Sequence, residues 1–69
     1  MKRPQNTEIE AGDIVEVIAT NDHESKGYLN LHGVFDMEWS RDGLRTFTVL
    51  FDGEEFAYAT EIKLIKKGN

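Results

Sequence analysis

The sequence predicts an all-β domain, a small barrel of five short strands with one long early loop. Three observations predict it. Two Asp-Gly pairs, Asp42-Gly43 and Asp52-Gly53, punctuate runs of alternating apolar and polar residues, and Gly supplies the positive φ that tight hairpin turns need. The run Ile14–Thr20 is rich in β-branched residues and follows Gly12-Asp13, which favours a strand. No segment sustains apolar residues at the helical spacing.

In chain order, residues 1–8 are polar, hold the only proline and show no periodicity, so they read as a flexible arm before a domain over 9–67. In the first strand, Glu16 facing water turns Val15, Val17 and Ala19 inward and Ile14 and Ile18 outward. Asn21 to His32 begins with turn-forming polar residues and continues as Tyr28-Leu29-Asn30-Leu31, a short strand or a folded-back loop. A connection of this length in so small a domain is unusual unless it is functional or packs on the body.

The second strand, Val34–Trp39, places Phe35, Met37 and Trp39 on one face; the third, Thr46–Phe51, does the same for Phe47, Val49 and Phe51. Together with Val15, Val17, Ile62 and Leu64 these build the expected core. At roughly 1.5–3 kcal/mol per fully buried large side chain, such a set can offset the ordering entropy. Phe56–Ala59 is the fourth strand and Ile62–Ile65 the last, with a single 3-10 turn at Thr60–Ile62 before it. Curling the sheet covers edges that would otherwise aggregate.

Composition narrows the function. Sixty-nine residues make one domain near the lower size at which a core holds without staples, and there is no cysteine for disulfides or thiolate metal sites. The first seven residues lack the apolar run of a signal peptide and no stretch suits a membrane span, so a cytoplasmic protein is expected. The net charge is −5, but between Glu8 and Glu61 three basic residues face thirteen acidic ones, a net of −10. The basic residues Lys2, Arg3, Lys63, Lys66 and Lys67 sit at the ends, where they form either a small anion-binding patch or solvated tails. A surface of this sign repels a phosphate backbone and suits a protein partner with a basic patch, besides serving solubility.

Ala11-Gly12-Asp13-Ile14-Val15-Glu16-Val17-Ile18 resembles the opening strand of small SH3-like barrels, and Gly33-Val34-Phe35 is similar to the start of their second strand. Phe51-Asp52-Gly53, Tyr58 and Glu61-Ile62-Lys63-Leu64-Ile65 resemble their closing signature, so the likeness covers about residues 11–66. It implies a five-stranded SH3-like barrel of the KOW-like or phage-accessory type, similar also to small stromal photosynthetic subunits. KOW-type domains touch ribosomes or RNA polymerase. Nucleic-acid readers among them carry a basic first loop, whereas this loop offers Asp22, Glu24 and Lys26. The resemblance therefore implies an accessory or phage-encoded protein that docks on a larger protein.

Asp22-His23-Glu24 is the only compact cluster of metal-ligand types, without a spacing that supplies further ligands; His23 and His32 are alternative pH-sensing candidates because of their residue type. There is no defensible Ser-His-acid spacing and no glycine-rich phosphate loop, so neither catalysis nor a cofactor is expected. Among the aromatics, Tyr28 in the long loop, Trp39 beside a turn and Phe56, set out of phase with Tyr58, are candidate contact anchors or caps of the barrel ends. Ile14, Ile18, Val34 and Leu50 form a second candidate, an outer apolar patch for a partner or for self-association, unless bending or the loop covers them. The expected function is a non-catalytic protein-binding module, accessory or inhibitory. The alternatives are a KOW-like nucleic-acid module and an acidic nucleic-acid mimic.

Overall fold

The computed structural model describes residues 9–68; the arm expected over 1–8 lies outside them. Five antiparallel strands form one sheet: β1 (Ile14–Ala19), β2 (His32–Arg41), β3 (Leu44–Leu50), β4 (Phe56–Ala59) and β5 (Glu61–Lys66). The spatial order is β4-β3-β2-β1-β5, a meander whose last strand returns beside the first. The all-β expectation therefore holds. The sheet wraps until Val15 and Val17 of β1 meet Phe35, Val49 and Ala59 in one buried cluster, with Ile9, Phe47, Phe51 and Ile62 packed against it. The end strands β4 and β5 are not paired with each other, so the sheet stays open between them. No helix among the described residues is long and apolar enough to cross a membrane.

The turn chemistry follows the sequence. Asp42 and Gly43 both have positive φ, 54° and 81°, the backbone of a two-residue hairpin whose twist matches its strands, and Arg41 pairs with Leu44 across it. The helical turn expected at Thr60–Ile62 is a correction: Thr60 is a bend and β5 begins at Glu61. The chain can switch strands there without a helical turn because the Thr60 N–H donates to the Ala19 carbonyl at 2.8 Å, carrying it directly onto β1. The 3-10 segments lie at His23–Tyr28, inside the long loop, and at Asp52–Glu54.

The long loop folds back on the body rather than forming a strand. Asn30 N–H donates to the Val17 carbonyl at 2.8 Å, and Val17 N–H to the Leu31 carbonyl at 3.1 Å. Buried Ser25 receives the Tyr58 N–H on its hydroxyl at 2.9 Å, while the Thr20 hydroxyl donates to the Tyr58 carbonyl. These hydroxyls satisfy backbone groups along β4, the strand at the end of the sheet, which would otherwise invite pairing with another chain.

The expected core needs one substantial correction. Phe35 pairs with Val49, but Met37 pairs with Thr48, so Asp36 is an extra residue on β2, a β-bulge. One extra residue reverses the facing of everything beyond it. Trp39 therefore pairs with Thr46, and Met37 is 51% exposed instead of buried. Glu38 takes the core-side phase and pairs with Phe47. The core is left to Val15, Val17, Val49, Ala57 and Ala59, with Phe35 its one buried ring. On β2, Gly33 is required by close approach: a Cβ there would lie 2.6 Å from the Leu50 carbonyl oxygen, 2.7 Å from Val49 Cγ1 and 2.8 Å from Phe51 Cε1.

Candidate functional site

The bulge builds a face. Beyond Asp36, Met37 and Trp39 stand on the same side of the sheet as Thr48 and Leu50 of β3 and Phe56 and Tyr58 of β4. Alternation in Phe56-Ala57-Tyr58-Ala59 sends both alanines to the core and both rings outward. The rings hold one another: Trp39 meets Tyr58 edge-on at 5.4 Å, and Phe56 lies 5.2 Å from Tyr58. The Trp39 indole N–H donates to the Thr48 hydroxyl at 2.9 Å, so its polar atom is satisfied while the ring covers the sheet. Phe56 is 48% exposed, and Leu50 and Val34 are also exposed on the same face.

Shallow clefts run along this face and share walls. One of about 500 Å³ is lined by Met37, Trp39, Leu50, Phe56 and Tyr58. A second, about 460 Å³, lies between Trp39, Tyr58, Leu44 and Asp22. A third, about 330 Å³, is a notch between Tyr28, Phe56 and Tyr58. A fourth, about 550 Å³, continues past Tyr28 and Leu50 to Val34, Ile14 and Leu31. Tyr28 is fixed by stacking on Phe51, centroids 4.6 Å apart, and by donating its hydroxyl to Glu55 Oε1 at 2.7 Å. That hydrogen bond to a carboxylate raises the phenol pKa above its ordinary value, with burial and the Glu55 charge acting the same way.

Of the anchors read from sequence, Tyr28, Trp39, Phe56, Leu50, Val34 and Ile14 all line these clefts. Ile14 joins because it pairs directly with Val34. Ile18 does not: it is half-buried at an irregularity in the β1–β5 pairing and lines none of the four. Met37 and Tyr58 are the residues sequence reasoning missed. Tyr58 was legible, since Phe56 and Tyr58 are two apart and share a face, contrary to the expectation that they are out of phase. Met37 was not, because its facing depends on the bulge.

Seven carboxylates border the clefts. Asp22, Glu24, Glu54 and Glu55 surround the notch, and Asp36, Asp42 and Asp52 lie along the other three. Arg41 is the one Lys or Arg that lines any of them. Among the described residues none of the seven forms an ion pair. Elsewhere Arg45 and Lys67 are paired with carboxylates. Arg45 forks onto Glu38 at 2.7 and 3.3 Å and lies 5.3 Å from the Phe47 ring centroid, which holds the Glu38 pKa below its ordinary value. Lys67 reaches Asp13 at 2.7 Å and Glu10 at 3.7 Å. Asp13 also accepts the Glu10 and Gly68 N–H groups, each at 2.8 Å; these bonds and the Lys67 ammonium bring its pKa down to about 2. The expected basic patch is thus partly engaged through Lys67, while Lys2 and Arg3 lie outside the described residues.

Compared with known protein families, curated proteins and solved structures, the chain finds no match.

Asp22-His23-Glu24 serves the loop. The Asp22 carboxylate accepts the Ser25 hydroxyl at 2.6 Å, ordering the residue that pins β4. Among the described residues no group of three or more His, Cys, Asp or Glu could hold a metal ion. His32, at the start of β2, lies 3.4 Å from Glu16, its cross-strand partner on β1.

Proposed function

We propose that this chain is a non-catalytic protein-binding module, an accessory or inhibitory subunit that acts by occupying a surface of a larger protein. One observation carries the reading: Met37, Trp39, Leu50, Phe56 and Tyr58 form a contiguous, partly exposed apolar face on β2, β3 and β4. Contiguous apolar surface on a domain this small is costly to leave in water and marks a contact surface. Aromatic anchors held by their neighbours lose little entropy when covered, so they contribute more to binding per residue than mobile chains. The long loop supports this face from one side through Ser25, Thr20 and Tyr28.

The test is affinity capture from lysate with nuclease present, comparing the unchanged chain with Phe56→Ser. Phe56 is about half exposed, so the substitution removes contact area while costing about 1 kcal/mol or less of stability. The reading expects a protein recovered in stoichiometric amount by the unchanged chain and lost with Phe56→Ser. Recovery that depends on nucleic acid, or that ignores Phe56→Ser, overturns it. Trp39 is the only tryptophan, so its emission reports directly whether the recovered partner covers this face.

A further inference from the structure

Resting on the docking reading, we infer that the notch between Tyr28, Phe56 and Tyr58 receives an arginine side chain of the protein partner, whose apolar residues lie alongside on Met37, Trp39 and Leu50. Two observations choose the occupant. The notch is walled by three rings and bordered by Asp22, Glu24, Glu54 and Glu55, four carboxylates that form no ion pair among the described residues. The chain also shows how it holds a guanidinium of its own: Arg45 sits between one carboxylate, Glu38, and one ring, Phe47 at 5.3 Å. The notch offers the same two chemistries in greater number.

Charge complementarity excludes the other macromolecules. A phosphate backbone or an anionic membrane would meet these carboxylates as like charges. Arginine is favoured over lysine because a planar guanidinium stacks on a ring and forks onto carboxylates at once, whereas an ammonium is a compact, strongly hydrated charge. Size agrees: about 330 Å³ lies at the lower end of the roughly 300–1,000 Å³ of ligand sites, suited to one side chain rather than a cofactor. The geometry of the wall is held before binding, since Tyr28 is stacked on Phe51 and Tyr58 is bonded to the loop through its backbone.

The test uses the full ¹⁵N-labelled chain titrated separately with N-acetyl-arginine amide, N-acetyl-lysine amide and N-acetyl-leucine amide, following backbone amide shifts. The arginine probe is expected to give saturable shifts at Tyr28, Glu54, Glu55 and Tyr58, roughly two- to fivefold tighter than the lysine probe. Glu54→Gln with Glu55→Gln should weaken the arginine probe while leaving the leucine probe's shifts at Met37 and Leu50 unchanged, which shows the face still folded. Shifts that do not saturate, or that spread evenly over the acidic surface, overturn the assignment. A notch that takes the probe only after Lys2→Gln and Arg3→Gln is filled by the chain's own first residues, which also overturns it. Failure of the probe with Phe56-dependent capture intact removes the arginine notch alone. Capture that ignores Phe56→Ser removes the docking reading and this inference with it.

Discussion

The two sides of the β2–β3–β4 sheet differ in what they leave to water. The inner side packs Val49, Ala57 and Ala59 with Val15 and Val17 of β1 around the buried ring of Phe35, and Phe47 and Phe51 lie half-buried beside them. The outer side carries Met37, Trp39, Leu50, Phe56 and Tyr58, of which Met37, Leu50 and Phe56 are exposed. A chain arranged for stability alone would put the large side chains inside, because burial is worth roughly 25 cal/mol per Å² of apolar surface. Here valines, alanines and one buried ring stabilise the fold, and a second set of large side chains is left available outside. The difference separates what holds the molecule together from what it presents.

The strongest way to break the inner side is at its tightest point. Gly33→Ala places a Cβ 2.6 Å from the Leu50 carbonyl oxygen, a backbone atom that cannot swing away. The expected loss is about 3 kcal/mol, with a melting temperature roughly 4–8 °C lower for each kcal/mol. Thermal unfolding followed by circular dichroism checks it. A loss near zero would mean that the inner side is loosely packed and that the contrast between the faces is wrong.

Next in size is the acid response of the Asp13 clasp, which ties the turn before β1 to the tail after β5. Asp13 has its pKa lowered from 3.8 to about 2 in the folded chain, first by the Glu10 backbone N–H and then by Lys67. A depressed folded pKa stabilises above the unfolded value and ceases to do so as pH falls through the folded value. Stability should therefore decline from about pH 4 towards about pH 2, and Asp13→Asn should remove that part of the slope. Denaturant titrations across this range compare the two slopes. Identical slopes would detach the clasp from the inner side's stability.

How much of this was legible in the sequence follows from the same contrast. The inner side was readable because Val15, Val17 and Val49 obey strict alternation and the Asp42-Gly43 turn sets the hairpin register. The outer face was readable only in part. Leu50, Val34 and Ile14 could be placed outside by alternation, but Met37 was assigned to the core and Trp39 left between core and contact anchor, because nothing in Phe35-Asp36-Met37 announces an extra residue. A bulge is a property of two strands paired together, not of one strand's pattern. The order in the long loop was equally hidden, since it depends on Ser25 and Thr20 meeting a strand more than thirty residues away.

Deleting Asp36 sharpens the comparison with a smaller effect. If Asp36 is the inserted residue, its removal leaves Phe35 opposite Val49 and Met37 opposite Thr48, as they are now. Stability should change by about 1 kcal/mol or less, and the Trp39 emission maximum should stay where it is. Had any other residue been the insertion, the deletion would turn Met37 and Trp39 inward, moving the emission to shorter wavelength and cooperatively destabilising the fold. Emission spectra of the folded deletion variant separate the two outcomes.

The smallest expected effect lies at the rim where the two sides meet. Glu38 faces the Phe47 side because of the bulge, and Arg45 lies across both. Both charged side chains are well exposed, so water and salt screen the pair and Glu38→Gln should cost no more than about 0.5 kcal/mol at low salt, and less at high salt. Urea titrations at two ionic strengths measure it. A larger, salt-independent loss would mean that Arg45 closes the end of the core over Phe47, making a charged residue part of the inner side. A small, salt-dependent loss would leave Arg45 as a surface pair, and would show that a ring with a carboxylate can hold a guanidinium here without the fold depending on it.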